Sequence, residues 1–287
     1  MASKIKKPKL DTVVEDIFNV FMNNTAPSEE HLDDLAKDIR DSVARQITEV
    51  REEKGYLRLS QIGKPDRKTW YDIKGAPKDV PQGPVRMKFL MGDIYEALLI
   101  LLIKTAGHIV TDEQKEVEIE GVKGHKDLKI DGINVDIKSA SAYGFKKFKN
   151  NTLDQDDPFG YIAQLSSYAQ SEGATEAAFL AIDKSSCELA LTPLDHMDMI
   201  NSHDRVKHLK GIVKSDTVPE KCYEDEPSGV SGNRVLSKSC GWCEFHMHCW
   251  SDANQGNGLR SFQYADNVRK YTVVAKLPKV PEITNYE

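Results

Sequence analysis

The chain has no apolar run long enough to span a bilayer. The longest, around Ala97 to Ile103, is short and falls in a helical pattern. The basic start MASKIKKPKL has no apolar stretch behind it, so no secretory signal is expected. Positive charge is also scarce: 39 Lys and Arg against 45 Asp and Glu give a formal net charge of -6. That argues against a generally basic nucleic-acid coat, though not against a local basic groove. Cysteines are few and odd in number, five in all, and four of them crowd near the C-terminus. This fits a reduced, cytoplasmic setting and a metal site better than a disulfide framework. No internal repeat is visible.

What remains is an ordinary globular composition, 39% hydrophobic and 29% charged, with enough apolar residues for a real core. DTVVEDIFNVFMNN reads as a short amphipathic helix. Pro27 and Ser28 open a longer one, capped by Ser28, with Leu32, Leu35, Ile39, Val43, Ile47 and Val50 at helical spacing. Residues 1–54 are thus expected to form an N-terminal helical cover. The loop from Lys74 to Pro84 leads into VRMKFLMGDIYEALLILLIKTAG, expected as a largely buried helix ending at Gly107. Short strands follow around Val117 and Ile119, around Leu128 and Ile130, and around Ile133, Val135 and Ile137. YIAQLSSYAQ reads as a helix, AAFLAID as a strand and CELALT as its hairpin partner, with Cys187 in the core. A helix is expected from Asp195 to about Lys214, and irregular backbone pinned by ligands from Pro219. The expected class is α/β.

The stretch GHKDLKIDGINVDIKSAS carries the chemistry. Asp131-Gly132 is a strong two-residue hairpin signal, since such turns need positive φ. The turn sets Ile130 against Ile133, Lys129 against Asn134, Leu128 against Val135 and Asp127 against Asp136. Side chains alternate along a strand, so one face carries the aliphatic residues and the other Asp127, Lys129, Asn134, Asp136 and Lys138. Directly opposed residues have Cβ atoms roughly 5 Å apart. Two carboxylates repel by about 4 kcal/mol at about 4 Å and an effective dielectric near 20. A hard divalent cation between them, Mg²⁺ or Mn²⁺, turns that penalty into a binding site. Lys138, on the same face, can serve the attacking water or the charge that develops on a phosphate. The competing expectation is a solvated strand face of mixed charge.

Asp127 followed by Asp136-Ile137-Lys138 resembles the PD-(D/E)xK nuclease motif in its Asp-x-Lys form, with Lys126 standing where the motif's name has proline. The resemblance implies a restriction-endonuclease-like core: a mixed central sheet flanked by helices. It also implies that the two acids and the Ile137 carbonyl hold the metal while Lys138 serves the water. Gln164 and Tyr168, at i and i+4 of one helix, pair an amide with an aromatic hydroxyl that can meet a phosphate or a base. They resemble the Gln-x-x-x-Tyr motif of RecB-type nucleases, which implies a role in positioning DNA. MGDIYEALL resembles the Gly-x-x-x-His-Glu helix motif of that group. Gly92 and Glu96 match it, Tyr95 replaces the histidine, and Glu96 is left as a candidate acid. Arg67 and Trp70-Tyr71 have counterparts in its entry segment.

CGWCEFHMHCW spaces Cys240, Cys243 and Cys249 as metal ligands, with Cys222 as the natural fourth. Four thiolates suit Zn²⁺ or an iron–sulfur centre, and His246 or His248 is an alternative donor. The spacing resembles the C-terminal triad of iron–sulfur nucleases, which implies a [4Fe–4S] cluster. There the fourth cysteine comes from an N-terminal segment, where this chain has Gly63. The resemblance, which extends to the C-terminal segment from Ser251, covers most of the chain from about Leu57. It divides the chain into the helical segment 1–54, a nuclease core 55–215 and a metal-stapled tail 216–287. The activity implied is metal-dependent hydrolysis of DNA, as an exonuclease of a bacteriophage acting in the host cytoplasm with replication or recombination proteins as partners. An endonuclease, a non-catalytic DNA-binding protein and a zinc-stapled interaction protein are the alternatives. No membrane role is expected.

Overall fold

The computed structural model describes residues 9–48, 55–81 and 83–283. Val50 of the expected helical stripe and the basic stretch 1–8 lie outside them. Along the chain run α1 (Val13–Met22), α2 (Glu29–Thr48), α3 (Asp66–Ile73), α4 (Gly83–Thr105), β1 (Val110–Thr111), β2 (Glu116–Ile119), β3 (Val122–His125) and β4 (Leu128–Ile130). There follow β5 (Ile133–Ala140), α5 (Ala142–Lys149), α6 (Tyr161–Gln170), β6 (Glu176–Asp183), β7 (Leu189–Asp195) and α7 (Ser202–Lys214). The C-terminal strands are β8 (Glu226–Pro227), β9 (Arg234–Val235), β10 (Arg260–Gln263), β11 (Val268–Val273) and β12 (Glu282–Ile283). The chain divides into two compact units, Met1–Glu52 with Leu57–Gly63 and Gln82–His208, and Glu53–Tyr56 with Lys64–Pro81 and Leu209–Glu287. Among the described residues no helix is long and apolar enough to cross a membrane.

The first unit is α/β, a mixed sheet in the order β1-β4-β5-β6-β7 flanked by helices. Only β5 and β6 are parallel, and α5 and α6 fill the crossover that a parallel pair requires. β6, read from AAFLAID, is buried along nearly its whole length, as expected of an unbroken apolar run between two covered faces. Ala178, Leu180 and Ile182 pack with α1 and α4 on one face. Ala177, Phe179 and Ala181 pack with α5 and α6 on the other. In α1 the buried residues Val13, Ile17 and Val20 keep a helical stripe. Ser28 caps α2, its hydroxyl accepting the His31 N–H at 3.2 Å.

Several expectations are corrected. Only the second half of α4 is buried; Val85, Met87 and Phe89 of its first half are exposed, because the sheet underlies only the later turns. In α2, Leu32 and Ile47 are exposed and Ser42 alone is buried, so the helix rests on α4 by a narrow strip. Cys187 is not in the core: it is exposed, with φ +60°, in the turn between β6 and β7. The helix expected from Asp195 begins at Ser202, since β7 runs on to Asp195. The tail is not wholly irregular. In the second unit β8 to β12 form an antiparallel sheet in the order β12-β10-β11-β9-β8. Its centre is stiffened by an edge-on contact of Phe262 and Tyr271, 5.3 Å between centroids.

Candidate active site

The site starts from the β4–β5 turn. Asp131 and Gly132 both have positive φ, +52° and +90°, and the pairs are Leu128 with Val135, Lys129 with Asn134 and Ile130 with Ile133. That is the expected register. Asp127 lies one step beyond the last of these pairs, and its Oδ2 accepts the Ile137 N–H at 3.0 Å. Asp136 and Lys138 form an ion pair on β5. The face they occupy is not solvated: Asn134 is 2% and Asp136 1% exposed, because β5 is an interior strand covered on both sides. A charge is not buried cheaply, so the solvated-face expectation is overturned.

Glu96 reaches the same place from α4. Gly92 of that helix faces β5: a Cβ there would stand 3.5 Å from Ser139 Oγ, an ordinary contact, so the approach does not depend on the glycine. Tyr95, in the motif's histidine position, donates its hydroxyl to the Lys184 carbonyl at 3.3 Å and packs against the core. It thereby anchors α4 beside the sheet. The electrostatics show how close the acids are. Burial, then the Asp127 charge, pushes Glu96 up to about 8, with Lys138 opposing. Burial pushes Asp136 up to about 7, with Lys138 opposing and Asp127 adding to the rise. Burial works against the charge on Lys138, yet Asp136 and Asp127 outweigh it and raise its pKa. Lys138 is therefore an ammonium at neutral pH, fit to donate and to stabilise charge. Neither Asp136 oxygen has an aligned hydrogen bond among the described residues, so Lys138 meets its charge by ion pairing.

Gln164 and Tyr168 stand behind the acids on α6, the amide donating to the phenol oxygen at 3.0 Å. Tyr168 is 2% exposed. Burial raises its pKa, as do the Asp136 and Asp127 charges, while the Gln164 hydrogen bond lowers it. The ring is closed off from solvent, within electrostatic reach of Asp136, Asp127 and Lys138.

Three carboxylates are the oxygen-donor chemistry that a hard cation takes. Among the described residues, however, no group of three His, Cys, Asp or Glu side chains is closed into a metal cage. Asp127 is turned to the Ile137 amide and Asp136 to Lys138. The same holds for the cysteines of the second unit. Cys222, Cys240, Cys243 and Cys249 are unbridged thiols, and Cys240 lies in electrostatic reach of the other three. Cys243 and Cys249 pack against the Tyr71 and Phe245 core. Burial pushes the Cys243 thiol up to about 11. His246 is committed elsewhere: Nδ1 faces the Cys243 carbonyl at 2.6 Å and Asp79 at 2.9 Å, and Nε2 contacts Lys270. His248 stands edge-on to Tyr71. Arg67 binds the Tyr71 hydroxyl at 2.8 Å and the Pro219 carbonyl at 2.9 Å, a structural engagement within this unit. Gly63, in the first unit, has no room for a side chain, since a Cβ there would lie 2.4 Å from Gly160 Cα.

No protein-family model and no curated protein matches this chain. Solved structures do. SSO0001 is 15% identical over 73% of this chain and 93% of its own, with a TM-score of 0.42. An alkaline exonuclease from Laribacter hongkongensis is 15% identical over 54% of this chain and 86% of its own, with a TM-score of 0.29. The same exonuclease in complex with dAMP is 14% identical over 65% and 89%, with a TM-score of 0.32. These scores are low, and the reading of the site rests on its own side chains.

Three residues of the site carry no signal in the sequence. Gln114, with φ +51°, donates its side-chain amide to Glu96 at 3.0 Å and its backbone N–H to the Asp127 carbonyl at 2.8 Å. It ties the two acids together. Tyr161 lies with its ring centroid 5.1 Å from Lys138 Nζ. Lys126 is buried at 1% exposure and pairs with Asp112 at 2.8 Å and Glu172 at 2.7 Å. Only proximity in the fold gives these three their place.

Proposed function

We propose that this chain is a metal-dependent nuclease that hydrolyses phosphodiester bonds in DNA, acting as an exonuclease in DNA degradation, recombination or replication. The observation that carries the reading is the convergence of Glu96, Asp127, Asp136 and Lys138 in one buried neighbourhood. Nothing in the packing of the sheet calls for it, and the repulsion among the acids works against it. Such convergence of perturbed groups marks functional sites. Asp127, Asp136 and the Ile137 carbonyl would hold Mg²⁺ or Mn²⁺, with Glu96 as the neighbouring acid. When bound, the cation supplies Lewis acidity at the scissile phosphate. Lys138 stays charged, orients the attacking water by donating to it, and stabilises the charge that develops on the phosphate. Gln164 and Tyr168 hold the cluster in place from behind. A phage origin and action in the host cytoplasm follow only from the family resemblance.

The test is to incubate the protein with end-labelled linear and closed circular DNA plus Mn²⁺. Attack on linear DNA alone is expected; attack on both means an endonuclease, and binding without attack means a DNA-binding protein. Lys138→Ala is expected to lower cleavage by roughly 10²–10³-fold while DNA is still bound in a gel-shift assay. Cleavage at the wild-type rate removes Lys138 from the mechanism.

For the second unit we propose that Cys222, Cys240, Cys243 and Cys249 hold a [4Fe–4S] cluster, with Zn²⁺ as the alternative. Either would fasten the tail, with roughly 10–16 kcal/mol of apparent binding energy known for structural zinc. Protein purified without oxygen is expected to be brown and to contain iron. A colourless preparation with one zinc per chain replaces the cluster, and a metal-free folded preparation removes the site.

A further inference from the structure

Phe159, just before α6, is 52% exposed. Its ring stacks on Tyr161, with centroids 5.4 Å and planes 27° apart. Tyr161 in turn lies against Lys138, 5.1 Å from ring centroid to Nζ, and Lys138 pairs with Asp136. An exposed aromatic surface is therefore joined to the acid cluster through two side chains. Its loop is firmly built. Asp157 accepts the N–H groups of Tyr161 and Ile162 at 3.0 and 2.9 Å. Gly160, at φ +73°, is pressed against Gly63, where neither residue has space for a Cβ. The ring is thus braced from behind by Tyr161 and held outward by its own loop.

The adjoining surface adds a second exposed ring and a cation. On α5, Lys147 Nζ lies 5.1 Å from the ring centroid of Tyr143, which is 61% exposed. Lys147 also donates to the Asp156 carbonyl at 2.8 Å and pairs with the Asp156 carboxylate, which joins α5 to the loop that carries Phe159. Lys146 is exposed beside it. The other α5 lysines are paired, Lys147 with Asp156 and Lys149 with Glu188, so Lys146 is the cation this surface offers beside its aromatic rings. Surfaces of this kind bind single-stranded nucleic acid, because every base has a face to stack and every phosphate a charge to meet.

We propose that Phe159 is the stacking platform for an unpaired nucleobase of the DNA strand being cut, with Lys146 of α5 supplying a positive charge to its backbone. The substrate class is thus a single-stranded or frayed end. A braced aromatic ring needs little rearrangement to receive a base. This rests on the nuclease reading, and the experiment separates the two.

Steady-state cleavage is measured on a duplex with a short single-stranded end and on the same duplex with abasic sites in that end. With the normal end, Phe159→Ala is expected to raise KM about tenfold. With the abasic end the wild type already lacks the stacking partner, and the difference between the two proteins is expected to vanish. Phe159→Trp should restore the normal KM. Equal loss on both ends, or none on either, overturns the stacking role while leaving the nuclease standing. A wild type that cuts neither duplex overturns both. Should the alanine variant fail to fold, Phe159→Leu keeps the apolar bulk without the ring and gives the same contrast.

Discussion

Asp136→Asn is expected to lower DNA cleavage by roughly 10³-fold and, at the same time, to make the folded chain more stable at pH 8. The two effects have one cause. Asp136 is 1% exposed, and burial pushes its pKa up to about 7 from an ordinary 3.8, against the pull of Lys138 and with a further push from Asp127. For a group raised in the folded state, the stabilising contribution is complete below the unfolded value and is lost as pH rises through the folded one. The wild type should therefore lose stability between about pH 4 and pH 7 on account of this carboxylate. The amide carries no charge to desolvate, so the variant escapes that loss. A gain of roughly 1–3 kcal/mol at pH 8, shrinking towards zero near pH 4, is expected from urea denaturation across that range. A variant that cuts at the wild-type rate removes Asp136 from the chemistry. One that is less stable at every pH shows that the pair with Lys138 outweighs the burial penalty.

The same tension explains how much of the site was readable in the sequence. Asp131-Gly132 dictates a turn by backbone conformation alone, and the turn dictates which residues oppose each other across β4 and β5. Asp127, Asp136 and Lys138 could be brought together on that basis, because their juxtaposition is a local consequence of period and register. α6 was legible for the same reason: YIAQLSSYAQ has a clear helical pattern, and Gln164 and Tyr168 meet by i, i+4 spacing. What failed was decided at long range. Cys187 lies beside an apolar strand in sequence, yet the β6–β7 turn takes it out to solvent. The exposure of the first half of α4 depends on where the sheet ends. Glu96 could be placed only by analogy, and its partner Gln114 sits at a positive φ that no residue preference foretells. The short strands of the second unit are too brief and unevenly spaced for alternation to register.

Lys126 is the clearest case of a residue that the sequence left mute, and its replacement by methionine carries the second large effect. In the sequence it merely stands where the motif's name has proline. In the fold its ammonium is buried between Asp112 and Glu172, with Asn134 Oδ1 at 3.2 Å. It thus joins the start of β4 to the end of the α6 segment and to β5. Lys126 and Lys115 hold Asp112 down at about 2. Burial works to raise Glu172, but Lys126, Lys129 and Lys115 outweigh it and hold it at about 2. Methionine keeps the length and apolar stem but leaves the carboxylates without their central cation, which lowers stability. Lys115 and Lys129 remain to soften it. Both acids are depressed in the folded state, so their contribution is present above their ordinary values, 3.8 and 4.5, and fades as pH falls towards about 2. The destabilisation should accordingly be large at pH 7 and much smaller near pH 2.5, read by urea denaturation at the two pH values. Because Lys126 adjoins Asp127, a shift of about 1 Å there should also lower cleavage by roughly 10²-fold. A methionine variant with wild-type stability at pH 7 means that Lys115 and Lys129 suffice to hold the acids. One that unfolds more easily yet cuts normally means that Asp127 is fixed by Ile137 and Gln114 without help from its neighbour.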